Sequence, residues 1–513
     1  MTLLGHLALW LAALLSAWAA AAGLLGVTRN RDDLASSACR AAHTAAAALV
    51  TGVVALAVAV LRDDFGVAYV AAHSSRTLPA LYRWAVLHAG PEGALLCCAT
   101  ALAVANALAL NGTSRLVADR ARAGALVAAL VATLAGAVLF ALNPFARLPF
   151  TPIEGLGLDP RLQTPAGMLS PVMLYLAFAA LTIPFARMLV ALATGRVGSP
   201  EVVAIRRWVL ACWLLLSVGL LLGMRAAYLA PPARGAWAWD PVLSTALGVW
   251  ALLTAVLHAA PLHERRGRWR WWDVLLLDGC WLLAVAGTYR VIAGSGATPR
   301  AAFVGLLVVC GVGSLGLCLW RWPLLLPADD RAPLSRPGRR SFGAHVAHAG
   351  AVLLGVALAA AATYQTDTQV VLRPGESVTL DSPLGGGYAV TYFGTSRYDR
   401  QNQFVTAATV ELARAGRRLA VLRAERLQYE DVLRRPIFRP TARAGVLSRP
   451  REDVRVVLRG LSRRTEEAAF RLTVNPLAWW VWAGAYVLIL GGLLATGRFF
   501  IELSRGAGEE RPE

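Results

Sequence analysis

About eleven stretches of roughly 20 predominantly apolar residues run through this chain, each long enough as a helix to cross the ~30 Å hydrocarbon core of a bilayer. They lie near 4–27, 37–61, 94–112, 123–142, 170–193, 208–224, 244–260, 273–292, 301–320, 345–364 and 477–497. Hydrocarbon offers no hydrogen-bond partners to the backbone, so each stretch is expected to be helical. The expected fold is therefore an all-α polytopic membrane protein. Composition agrees: 57% of the 513 residues are apolar and 16% charged, against roughly a quarter charged in soluble domains. The first stretch lacks a basic flank and is too long for a signal-peptide core, so it is expected to remain as a span.

The formal charge is +19, and all 50 basic residues are arginine. Nucleic-acid binding would need those charges clustered with stacking aromatics on a soluble face. They are instead dispersed between apolar runs, which excludes that class and points to topology. Seventeen arginines fall in one set of alternate loops, from Arg29 and Arg31 in the first to Arg336, Arg339 and Arg340 in the last internal one. Basic short loops stay cytoplasmic, so the N-terminus is expected outside and the C-terminus in the cytoplasm. The seven cysteines all sit in or beside apolar runs, as buried thiols acting as small apolar groups do. No CxxCH occurs, so the chain is not itself a c-type cytochrome.

Three segments on the expected outer side are long. Residues 62–93 and 143–169 mix aromatics, prolines and polar residues and read as re-entrant or interfacial. Residues 365–476 concentrate β-formers in Val370–Leu372, Tyr388–Phe393, Phe404–Leu412 and Val454–Leu458, between turn residues. A small external β-domain before the last helix follows. The expected division is a membrane domain over 1–364, the β-rich domain over 365–476, and a last helix with a cytoplasmic tail over 477–513.

Polar residues within spans are costly and mark function. His258 falls near the cytoplasmic end of the seventh span and His348 in the first turns of the tenth. Similar depth suits two axial ligands of one porphyrin iron; it equally suits two interfacial histidines at the head groups. Between the sixth and seventh spans, Arg234 precedes Trp237, Trp239, Asp240 and Pro241. Two indoles on a loop shaped by Asp-Pro can stack a flat apolar ligand, or simply join the aromatic belt. On the outer face His73 is a further candidate ligand, and Arg76 and Arg234 are candidate partners for carboxylates. His6, His43, His88 and His263 have no such setting.

Many short motifs occur in one order: Gly5-His6, His73-Ser74-Ser75-Arg76, Glu92-Gly93, Asn143-Pro144-Phe145, Gly157 to Gln163 and Pro184-Phe185. They continue with Trp237, Trp239, Asp240, Pro241 and Val242, then His348, Leu372 to Ser377 and Asn475-Pro476-Leu477. On these the chain resembles the cytochrome c haem lyase family of the CcmF type. The resemblance implies cytochrome c maturation in a bacterial cytoplasmic membrane, with haem taken from a haem chaperone. Trp237, Trp239 and Asp240 would form the platform for a transient substrate haem, promoting its attachment to the CxxCH of an apocytochrome c alongside other maturation subunits. It also implies a span-bound haem b on His258 and His348. Two outer histidines of the family are not matched. Ser170-Pro171-Val172 stands where it has His-Pro-Pro, and residues 293–300 contain no histidine. Two readings follow: a lyase that finds outer ligation elsewhere, or a non-catalytic b-haem membrane scaffold, an accessory assembly paralogue with a degenerate outer site.

Overall fold

A computed structural model describes residues 1–111, 117–195, 199–230, 241–266, 271–293, 316, 341–462 and 465–496. Among them nine helices are long and apolar enough to cross a membrane: α1 (Thr2–Thr28), α2 (Asp32–Leu61), α4 (Pro91–Leu110), α5 (Val117–Phe140), α6 (Pro165–Thr194), α7 (Ser199–Leu229), α8 (Pro241–Arg266), α10 (Ser341–Thr363) and α11 (Ala478–Thr496). Helix α9 (Trp271–Ala293) carries a shorter apolar stretch, Val274–Ala286. Of the span expected near 301–320, all but residue 316 lies outside the described residues. The chain is thus a multi-pass helical membrane protein with a β-domain before its last helix.

Two apolar cores build the helical part. One joins α1, α2, α4 and α5 through Leu9, Leu49, Leu56, Leu95 and Val138; the other joins α6 to α9 through Leu181, Ile205, Leu253 and Leu277. Helix α6 belongs to both and links them. A buried ion pair, Arg187 Nε to Glu201 Oε2 at 3.1 Å and Nη2 to Oε1 at 3.0 Å, ties α6 to α7. Two-point guanidinium pairing of this kind is what makes a buried carboxylate tolerable.

The two long segments between spans are stitched together over the first core. Within 62–93 lie the short helix α3 (Ala68–His73) and a 3-10 helix over Ala80–His88. Leu148 N donates to Gly66 O, Leu156 N to Ala71 O and Gly157 N to Ser74 O, at 2.9, 2.7 and 2.9 Å. Two of the recognised motifs meet here. The ring of Phe145 sits where a side chain on Gly5 would begin, 2.3 Å from that position, and Asn143 Oδ1 accepts from Phe145 N at 2.9 Å to fix the turn.

The β-domain has two antiparallel sheets. One has the order β1-β9-β8-β7, with β1 (Thr366–Leu372), β7 (Gly445–Leu447), β8 (Glu452–Leu461) and β9 (Ala468–Pro476). The other runs β2-β3-β4-β5-β6, with β2 (Ser377–Asp381), β3 (Gly387–Arg400), β4 (Gln403–Arg414), β5 (Arg417–Tyr429) and β6 (Thr441–Arg443). Leu380, Val390, Tyr392 and Val410 of one sheet meet Val456, Phe470 and Leu472 of the other in a common core. All four β-rich runs read from the sequence fall within strands. Strand β1 follows α10 and pairs with β9, which leads into α11, from Thr366 opposite Val474 to Leu372 opposite Ala468.

The β-domain docks on the membrane part at two places. Asn402 Nδ2 donates to Gln163 Oε1 at 2.9 Å, while Gln163 Nε2 donates to Leu158 O at 2.7 Å. Nearby, Gly157 takes a left-handed φ of +85° and lies against Ile437 and Phe438. At the end of α7, Tyr228 donates to Asp453 Oδ2 at 2.9 Å, and Ala444 N donates to Leu229 O at 3.2 Å.

Candidate functional site

Helices α8 and α10 bring His258 and His348 together, Nε2 to Nε2 at 3.2 Å. The residues lie 90 apart in sequence, so only the bundle joins them. Each ring is aimed by its own helix. His258 Nδ1 lies 2.7 Å from Thr254 O, and His348 Nδ1 lies 2.6 Å from Ala344 O. A carbonyl only accepts, so each Nδ1 is placed to donate to it, and a ring protonated there alone presents an Nε2 lone pair. Two lone pairs at 3.2 Å repel unless a proton or a metal lies between them. The rings stand 87° to each other with centroids 5.4 Å apart.

That donor set fits iron of a bis-histidine haem. Both ligating atoms are imidazole nitrogens, and the other nitrogen of each ring already has its carbonyl acceptor. Metal–imidazole bonds of about 2 Å would set the nitrogens about 4 Å apart, within a small side-chain adjustment of the spacing seen. Toward the opposite ends of α8 and α10 lies an apolar cavity of about 520 Å³. Leu247 and Trp250 of α8, Leu354 and Leu358 of α10, and Met224 of α7 line it.

Helix α10 is seated on α11 by a seam of glycines. A first side-chain carbon on Gly491 would lie 2.2 Å from Ala347 N, and one on Gly350 would lie 2.3 Å from Leu488 N. Only glycine allows backbones so close. Ala347 precedes His348, so this seam places that histidine directly.

The other candidates are distributed differently. Trp237, Trp239, Asp240 and Arg234 lie outside the described residues. His73 is part-buried, packed on Tyr69 at a centroid distance of 4.8 Å and against Gly90. Burial holds its imidazole below the ordinary value, with Glu92 opposing. Arg76 is exposed, donates through Nε to Ile153 O at 3.1 Å and lies over the Phe65 ring. Ser170 is buried, and its hydroxyl donates to Gly219 O of α7 at 2.8 Å.

Sequence reading missed the side chains behind His258. Trp213 and Trp250, from α7 and α8, stack at 5.7 Å and bond to Thr254 and Ser217. The available signal was a Trp four residues before a hydroxyl in two successive spans, Trp213 with Ser217 and Trp250 with Thr254, followed by His258 four residues on.

Residues 89–284 match the protein family described as "Cytochrome C assembly protein". The chain is similar to "Cytochrome c-type biogenesis protein CcmF" of Pseudomonas aeruginosa, 35% identical over 63% of this chain and 51% of that protein. It is also similar to "Cytochrome c-type biogenesis protein CycK" of Bradyrhizobium diazoefficiens, 33% identical over 65% and 52%. The chain thus spans about half the length of these curated relatives. A relative in Escherichia coli, titled "Probable cytochrome c-type biogenesis protein NrfE", is 27% identical over 85% of this chain and 91% of its own. The solved structure titled "Cytochrome c Heme Lyase CcmF" shares the fold. Its TM-score is 0.79 at 21% identity, over 96% of this chain and 97% of that one.

Proposed function

We propose that this protein acts in cytochrome c maturation in a bacterial cytoplasmic membrane, holding a haem b on His258 and His348 and handling a second, transient haem at its outer face. The observation that carries this is the opposed Nε2 pair at 3.2 Å with both Nδ1 atoms engaged. The family match over 89–284 and the relatives' titles support the process. When bound, the inner haem supplies an electron for keeping iron and thiols reduced. The chain's own part is to present two imidazole nitrogens, each ring oriented by a hydrogen bond from Nδ1 to a backbone carbonyl. Trp237, Trp239 and Asp240 form the outer platform in this reading, with Arg76, Arg234 and His73 as contacts for propionates or iron. Partners are a haem chaperone, an apocytochrome c carrying CxxCH and other maturation subunits. The N-terminus and β-domain lie outside, and the C-terminus lies in the cytoplasm.

A second reading, the non-catalytic b-haem scaffold, is favoured by Ser170. Where the resembled family carries histidine, its hydroxyl is buried and committed to Gly219 O, so this position offers no ligand. Both readings keep the inner haem. Purified wild-type protein should show one low-spin b-type haem, and His258→Ala and His348→Ala should each abolish that spectrum. A spectrum surviving both substitutions would falsify the assignment. Covalent haem on a co-expressed apocytochrome, lost on Trp237→Ala, selects the lyase; haem-loaded protein with no covalent product selects the scaffold.

A further inference from the structure

Trp213 and Trp250 interlock with each other's helices. Trp213 Nε1 donates to Thr254 Oγ1 at 2.8 Å, and Trp250 Nε1 donates to Ser217 Oγ at 2.9 Å. Each hydroxyl then donates to the tryptophan carbonyl of its own helix, Ser217 to Trp213 O and Thr254 to Trp250 O, both at 2.8 Å. The planes of the stacked indoles lie 25° from parallel. The two indole N–H groups and both hydroxyls are satisfied inside this knot, in a layer otherwise built from Leu216, Leu220 and Leu253. In an apolar layer those groups have no competing partner, so the knot resists rotation of α8 about its axis relative to α7.

The knot ends on a ligand. Trp250, Thr254 and His258 follow one another at four-residue steps and share one face of α8. The carbonyl that accepts His258 Nδ1–H belongs to Thr254, whose hydroxyl receives the Trp213 bond. Rotation of α8 therefore decides where the His258 plane points, and that plane stands 87° from the plane of His348.

We propose that Trp213, Trp250, Ser217 and Thr254 are positioning residues that hold the two imidazole planes near perpendicular. This rests on the haem b reading above and deepens it. Perpendicular imidazoles act on different iron d orbitals and leave two of them nearly equal in energy. The oxidised low-spin iron then gives a single strongly shifted low-field resonance, whereas parallel planes give a rhombic signal.

The test is low-temperature electron paramagnetic resonance on the oxidised, full-length protein in detergent, with haem content measured on the same samples. Wild type should show the single low-field line. The double variant Trp213→Phe with Trp250→Phe keeps two stacked rings and removes both donors. It should retain haem at the wild-type stoichiometry while the line moves toward a rhombic signal. Thr254→Val should move it the same way by less, and stands in if the double variant fails to accumulate. Trp281→Phe removes a comparable indole bond, to Thr182 Oγ1 at 3.3 Å, and should leave the line in place. A rhombic wild-type signal, or an unmoved line in haem-loaded Trp213/Trp250 and Thr254 variants, overturns the positioning proposal alone. Wild-type protein without haem overturns it together with the haem b reading.

Discussion

The two histidines of the pair are aimed alike and carried in opposite ways. Each ring gives Nδ1–H to the carbonyl four residues back in its own helix. Beyond that, α8 is fastened to α7 by polar side-chain atoms, whereas α10 is fastened to α11 by the lack of side chains at Gly350 and Gly491. The first support fails when atoms are removed, and the second when atoms are added. One site thus depends on two unlike kinds of sequence constraint.

The largest effect is expected at the seam. Gly491→Leu has no room for its first carbon, 2.2 Å from Ala347 N, and overpacking of this kind costs roughly 1–3 kcal/mol or more. Helix α10 must shift, carrying His348 away from His258. The low-spin haem spectrum should disappear and the thermal midpoint in detergent should fall, with Gly491→Ala intermediate. Full haem occupancy in Gly491→Leu would break the comparison.

Polar deletion on the other side should be milder. Hydrogen bonds between membrane helices contribute about 0.6 kcal/mol on average, so Ser217→Ala should lower the thermal midpoint by a few degrees at most and keep the haem. If Ser217→Ala proves more damaging than Gly491→Leu in the same thermal assay, the order of the two supports is reversed.

How much of this was legible in sequence follows from the range of each signal. The spans are long apolar runs and the strands alternate within a few residues, so both could be read locally. His258 and His348 stood out because imidazole is rare in such runs. Their contact was expected only from depth, and the bundle supplies the distance. The Trp213–Thr254 and Trp250–Ser217 bonds depend on how α7 and α8 are rotated against each other. No local pattern fixes that rotation, so a tryptophan in a span reads as ordinary apolar bulk. Likewise Gly157 to Gln163 was recognisable as a motif, but its use as a seat for Asn402 needed the β-domain in place.

The smallest expected effect lies above the knot, where the β-domain holds the end of α7. Asp453 is fully buried, and burial lifts its carboxyl above the ordinary value of 3.8, against the bonds from Ser448 and Tyr228. The folded state therefore binds a proton more readily than the unfolded chain. This residue's contribution to stability should fall as pH rises from near 3.8 toward the raised folded value, then stay level. Asp453→Asn should remove that slope, read as the difference between wild-type and variant thermal midpoints across the acidic range. An unchanged difference would mean that Asp453 titrates normally and that the α7 anchor is not charge-sensitive.

Strands β1 and β9 lie side by side, so the chain leaves α10 and comes back to α11 through one paired ribbon. A whole folded domain thus stands where a helical hairpin would have its turn. During synthesis α10 emerges with its glycines facing nothing, and the backbone they fit is made well over a hundred residues later. The backbone against which the His348 turn packs is supplied only by α11. The packing that seats His348 thus depends on a helix made after the whole β-domain.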